Sequence, residues 1–145
     1  MQTYRDHHDE LYLSIVEPHF RLVFPVFNAS EKDFIVEARK KSLGFKCFAF
    51  TIRCAAINRD SFSTYHHVCW YLSRIIQLHN KLYSRILKNN LRMDIDFVPH
   101  IGVGNTLNAS QYKDWVDTWN TENFEIKGRN KRLSIVCYEN DVVTQ

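Results

Sequence analysis

An α+β fold of two pseudo-symmetric lobes is what this sequence predicts, and three observations predict it. The chain has 145 residues with 4 glycines and 3 prolines, which is the size of one domain and leaves little room for linkers. Apolar residues recur at every second position in some runs and at three- and four-residue spacing in others, so strands and helices interleave along the chain. A unit of strand, loop and capped helix is written twice, at residues 18–34 and 99–115.

In residues 9–16, Leu11, Tyr12, Ile15 and Val16 fall at helical spacing, and Pro18 ends the run because proline disfavours helix at the residue before it. Residues 19–26 alternate as a strand, with Phe20, Leu22 and Phe24 on one face and His19, Arg21 and Val23 on the other. Ser30 followed by Asp33 reads as a capping box opening a helix whose stripe is Phe34, Ile35 and Ala38. Residues 46–57 alternate again, turning Phe48, Phe50 and Ile52 inward and Cys47, Ala49, Thr51 and Arg53 outward. Residues 65–72 do the same with Val68, Trp70 and Leu72, and the intervening "NRDS" reads as a hairpin turn. Residues 74–87 form an amphipathic helix on Ile75, Leu78, Leu82 and Ile86, joined by Ile76, Tyr83 and Leu87. A strand over residues 93–104, a helix with Tyr112, Trp115, Val116 and Trp119 on one side, and a last strand over residues 132–138 complete the order α, β, α, β, β, α, β, α, β.

A formal charge of +3 permits attraction to phosphates but falls short of the dense basic stripe of a dedicated nucleic-acid binder. The basic stretch "KGRNKR", residues 127–132, reads as a turn, either meeting an RNA backbone or simply solvated. Cys47, Cys54, Cys69 and Cys137 lie in apolar runs with no Cys-x-x-Cys pair, which predicts reduced core thiols in a cytoplasmic protein. No apolar run reaches membrane-spanning length, so no membrane partner is expected. His7, His8, His66 and His79 show no ligand spacing, so no metal is assigned. Residues 1–9 are too polar and residues 141–145 too brief to supply edge strands, which leaves a monomer and a strand-exchanged dimer both open.

The repeat is ordered. Pro18-His19 answers Pro99-His100, Asn28-Ala29-Ser30 answers Asn108-Ala109-Ser110, and Lys32-Asp33-Phe34 answers Lys113-Asp114-Trp115. Two such units predict two lobes about an approximate two-fold axis, with the equivalent strands at the middle and the two histidines facing each other.

With "IVEPHFRLVFP" and "HNKLYSRILKNNLRMDIDFVPHIGVGN" as its two half-motifs, the chain resembles the two-histidine phosphoesterase superfamily, which includes the bacterial 2′,5′ RNA ligase-like proteins and cyclic phosphodiesterases. The resemblance implies two lobes of antiparallel sheet with helices packed outside, a central groove, no cofactor, and His19 and His100 as the catalytic pair. The family carries a hydroxyl residue two positions after each histidine; here Arg21 and Gly102 stand in those places. Arg21 offers a charged planar fork to a phosphate. Gly102 offers backbone alone, either for close approach of a ligand or as a sign of weakened turnover.

Two imidazoles across a groove supply a base and an acid to opposite sides of phosphorus without a metal. The expected function is a metal-independent phosphodiesterase or 2′,5′ RNA ligase-like enzyme. Its partner would be an RNA end or nucleotide carrying a 2′,3′-cyclic or 2′,5′-linked phosphate. The alternative is a catalytically weakened nucleotide- or RNA-binding module of the same fold. A third reading, a scaffold whose histidines merely pack, is disfavoured by the repeat. Arg53, His67 and Tyr71 fall on the site-facing sides of their strands, where they either line the groove to meet a base or second phosphate or form a solvated sheet face.

Overall fold

The structure, a computed structural model, describes residues 2–9, 17–59, 64–67, 73–106, 108–139 and 142–144. Its helices are α1 (Gln2–His8), α2 (Glu31–Ser42), α3 (Ser73–Leu82) and α4 (Ala109–Thr121), with a 3₁₀ helix at Arg85–Asn90. Its strands are β1 (Phe48–Ile52), β2 (Ala56–Arg59), β3 (Thr64–His67), β4 (Ile126–Asn130), β5 (Cys137–Glu139) and β6 (Val142–Thr144). They pair as three antiparallel ladders, β1 with β4, β2 with β3 and β5 with β6, so the expected α+β class with antiparallel pairing is present.

Local chemistry explains the helices. Ser30 caps α2 as the sequence predicts: its hydroxyl accepts from the Asp33 amide at 3.1 Å and donates to the Asp33 carboxylate at 2.7 Å. Glu31 and Asp33 in the first turn and Arg39, Lys40 and Lys41 in the last complement the helix dipole. On α3, Ile75, Leu78 and Leu82 are buried along one stripe. The expected single helix over residues 74–87 is broken, because the Ser84 hydroxyl takes the Lys81 carbonyl and Arg85 adopts a φ of 53°. Leu87, on the following 3₁₀ helix, returns to the core and is fully buried. The two Asn-Ala-Ser triplets cap differently: Ser30 ends the first as the cap, whereas Asn108 opens the second, its side chain accepting from the Ser110 amide at 3.2 Å.

Several expected elements change. Residues 19–26 and 93–104 join no ladder with another described segment; next to the second, Asn105 makes an isolated parallel bridge to Asp9. Residues 131–136 carry no strand, and the short tail that looked too brief to pair supplies β6. Residues 127–130 are not a turn: they lie in β4, where Lys127 and Arg129 alternate outward opposite Thr51 and Ala49. The helix expected over residues 9–16 falls almost wholly outside the described residues, and a helix lies at Gln2–His8. Cys47 and Cys137 are exposed and Cys54 half-buried; the core placement expected of them does not hold, and Cys69 lies outside the described residues.

Two apolar clusters hold the chain. Ile52, Ala55, Ile101, Val103 and Val116 form one, with Tyr4, Phe20, Phe50, Trp119, Phe124 and Ile126 packed against it. Ala38, Leu78 and Leu82 form the other, with Leu22, Val23, Phe34, Phe45 and Ile135 around it. The segment after His19 therefore spans both clusters, Phe20 entering the first and Leu22 the second. Phe20 meets Phe50 edge to face at 5.0 Å, and Phe50 lies across its ladder partner Gly128.

A methyl group added at Gly128 would stand 2.2 Å from the tip of the Phe50 ring. Gly128→Ala therefore pushes Phe50 off Phe20, and the expected loss is about 1–3 kcal/mol of unfolding free energy, the usual cost of overpacking. Urea unfolding measures it; an unchanged midpoint would refute this account of the sheet.

Candidate functional site

Proline restricts the residue before it to extended backbone, and here that restriction is used twice. In Glu17-Pro18-His19 the histidine Nδ1 lies 2.7 Å from the Glu17 carbonyl oxygen, and in Val98-Pro99-His100 it lies 2.7 Å from the Val98 carbonyl oxygen. A carbonyl oxygen only accepts, so each Nδ1 carries the proton and each Nε2 is the basic nitrogen. Each proline lets its histidine fold back onto the carbonyl two residues earlier, which fixes tautomer and ring orientation alike. Phe20 packs against the first core cluster while Ile101 and Val103 are part of it, and both histidines sit at the start of these anchored segments.

His19 is exposed and His100 half-buried. Desolvation is the largest influence on both and lowers their pKa values below the ordinary imidazole range; the carbonyl contacts oppose it in part. Positive charge lowers them further. Arg21 acts on both rings, Arg5 acts on His19, and His19 acts on His100, so the two histidines and Arg21 share one electrostatic neighbourhood. At neutral pH such a site holds two uncharged imidazoles beside a guanidinium, an arrangement suited to an anion that needs protons moved.

Arg5 is a residue to which the sequence reading gave no role. It is 2% exposed, and its Nε donates to the Asp9 carboxylate at 2.8 Å. The other oxygen of Asp9 accepts from the Asn105 side-chain amide, and the Asn105 backbone amide donates to the His8 carbonyl at 2.8 Å. This buried network ties α1 to the segment that follows His100. Its trace in the sequence is the four-residue spacing of Arg5 and Asp9.

The other expected residues lie as follows. Gly102 is half-buried between Ile101 and Val103, both buried in the first core cluster. Arg53 is engaged with Glu125, its Nε 2.8 Å from the carboxylate that also meets Lys127 at 2.7 Å, in an exposed ion-pair cluster. His67 stands in β3 opposite Ala56, and Tyr71 lies outside the described residues. Among the described residues no three His, Cys, Asp or Glu side chains gather as a metal site, and no helix is long and apolar enough to cross a membrane.

A family model described as the 2′-5′ RNA ligase superfamily matches residues 1–142 of the chain. No curated protein matches it.

The lowered histidines set a pH dependence. Below about pH 6.5 the unfolded chain binds protons that folded His19, His79 and His100 still refuse, so these groups make stability fall as pH drops through that value toward their folded pKa values. Ring-proton NMR titrations should place the His19 and His100 midpoints below 6.5, and Arg21→Gln should raise both. Midpoints at or above 6.5, or an Arg21→Gln variant that moves neither, would contradict the electrostatic picture.

Proposed function

The chain belongs to the 2′-5′ RNA ligase superfamily, and on that premise we propose that it is a metal-independent enzyme for 2′,3′-cyclic or 2′,5′-linked phosphates of RNA or nucleotides. His19 and His100 are its acid–base pair and Arg21 its phosphate holder. The observation that carries this reading is the matched Pro-His geometry, each Nδ1 tied at 2.7 Å to the carbonyl two residues before it, which leaves Nε2 as the proton-handling nitrogen on both rings. The proposal takes the chain as one bilobal cytoplasmic unit with the two histidines across a central groove.

The chemistry follows from the two nitrogens. In hydrolysis of a cyclic phosphate, one Nε2 takes a proton from water as its oxygen attacks phosphorus, and the other imidazolium gives its proton to the ribose oxygen as the P–O bond breaks. Ligation is the same exchange with a 5′-hydroxyl in place of water. With no anion present both rings are depressed, by desolvation first and further by neighbouring positive charge. A bound phosphate offsets that repulsion, raises both pKa values and lets one ring hold the proton the acid role requires. Arg21 supplies charge-assisted donors to the non-bridging oxygens.

A second reading rests on Gly102. Where the first half-motif has Arg21, the second has no side-chain donor, so developing charge is held from one side alone. The chain would then bind a nucleotide or RNA end and turn it over poorly.

Hydrolysis of 2′,3′-cyclic nucleotides, followed by phosphorus NMR with and without chelator, tests the two. The expected result is slow, chelator-insensitive turnover, reduced about a hundredfold or more by His19→Ala or His100→Ala and increased by Gly102→Thr. If the natural chain and Gly102→Thr are both silent while still binding nucleotide, the binding-module reading replaces the enzyme one.

A further inference from the structure

We propose that His79, on α3, is a positioning residue that sets the two histidine segments relative to one another; the proposal rests on the acid–base roles given above to His19 and His100. Its ring is 3% exposed and lies on the same helix stripe as Ile75, Leu78 and Leu82, an apolar face where a histidine is out of character. Its contacts explain the exception. Nδ1 lies 2.7 Å from the Leu22 carbonyl oxygen, three residues after His19. The ring face stacks on Phe97, three residues before His100, with centroids 3.5 Å apart and planes within 9°. One side chain thus touches both half-motifs at mirrored offsets.

No apolar residue could do this. Leucine would fill the space without donating, phenylalanine would stack without donating, and asparagine would donate without stacking. The carbonyl again dictates the tautomer, since Leu22 can only accept and Nδ1 must carry the proton. Desolvation, which lowers the His79 pKa, keeps the ring neutral in that role. Just past the end of α3, Tyr83 meets the His79 ring edge-on at 4.8 Å and accepts the Phe24 amide at 2.8 Å, so the His19 segment is held at a second point.

The ring is held by these directed contacts rather than by dense packing all round. A cleft of about 180 Å³ lies against it, lined among others by Phe24, Leu91, Met93 and Phe97. A displaced ring has room to move into, and then both segments lose their shared reference. Misplacing a catalytic group by about 1 Å can cost a hundredfold in rate, so a brace of this kind reaches the chemistry without touching substrate.

The two contacts can be removed separately. His79→Asn keeps a donor for Leu22 and loses the stack on Phe97; His79→Phe keeps the stack and loses the donor. Ring-proton NMR of the folded variants should show His100 moved by His79→Asn and His19 moved by His79→Phe. In kinetics with a cyclic nucleotide, His79→Asn should lower kcat about tenfold with KM held, whereas His79→Phe should also raise KM because Arg21 rides on the displaced segment. In the natural chain, nitrogen NMR should find His79 as the Nδ1–H tautomer, a readout that survives if a variant fails to fold. An Nε2–H tautomer, or folded variants that leave both histidine resonances and both kinetic constants unchanged within twofold, would overturn the proposal. If the natural chain turns over no cyclic nucleotide, the enzyme reading falls, and the tautomer and resonance measurements still decide this one.

Discussion

Buried backbone groups must find partners, and in the two histidine-bearing segments and their flanks some of those partners are side chains reaching from elsewhere in the fold. Neither residues 19–26 nor residues 93–104 share a ladder with another described segment. In the first of them the Leu22 carbonyl and the Phe24 amide are met by His79 of α3 and by Tyr83 just after it, and just past the second the Tyr112 hydroxyl of α4 accepts the Thr106 amide. Each such bond adds only about 1 kcal/mol net, but leaving the buried group unmet costs about 1–3 kcal/mol, so the braces define where the segments can lie. The three residues are placed accordingly: His79 and Tyr83 one turn apart, and Tyr112, 1% exposed, in the first turn of α4.

This explains which parts of the molecule were legible in the sequence. The Ser30 cap, the apolar stripe of α3 and the inward face of β1 are local, and their chemistry lies within a few residues of one another. The hairpin of β2 and β3 is legible in kind but not in its bounds: residues 46–57, expected as one strand, divide between β1 and β2, and Asn58 and Arg59 of the expected turn lie in β2 opposite Tyr65 and Thr64. Alternation in residues 19–26 separated Phe20 and Leu22 from the exposed His19 and Arg21, because alternation reports which side is covered, but Val23, expected on the histidine face, packs beside Leu22 against the second cluster. It says nothing of who accepts the backbone hydrogen bonds, and the strand it predicts joins no ladder with another described segment. The basic run at residues 127–132 looked like a turn because of its charge and glycine; in the fold the missing side chain of Gly128 is the seat of the Phe50 ring, a partner 78 positions away in the ladder register Phe50↔Gly128.

The candidate site was legible in the same partial way. The duplicated Pro-His dipeptide carried its own geometry, since proline, histidine and the preceding carbonyl are contiguous, and the two halves meet it identically at 2.7 Å. Arg5 and His79 were not legible. A buried arginine and a solvent-facing one have the same hydropathy, and the Asp9 carboxylate that pairs with Arg5 offsets the cost of its burial. His79 looked like one more histidine without ligand spacing, and its meaning arises from two contacts far away in sequence, with Leu22 and with Phe97.

The tie between α1 and Asn105 also has a consequence for how the chain comes to be folded. The Asp9 and Asn105 side chains meet across a separation of 96 residues. A ribosome adding about 5–20 residues per second needs roughly 5–20 s to make that stretch, during which the first helix exists without its partner. Elements closed by short loops, such as α2 and the β2–β3 hairpin, can form in that interval, and a contact that closes so long a loop is formed late. Until it closes, Arg5 is a cation with no interior to enter, and its charge keeps the leading helix in water while the rest of the core is still being synthesised.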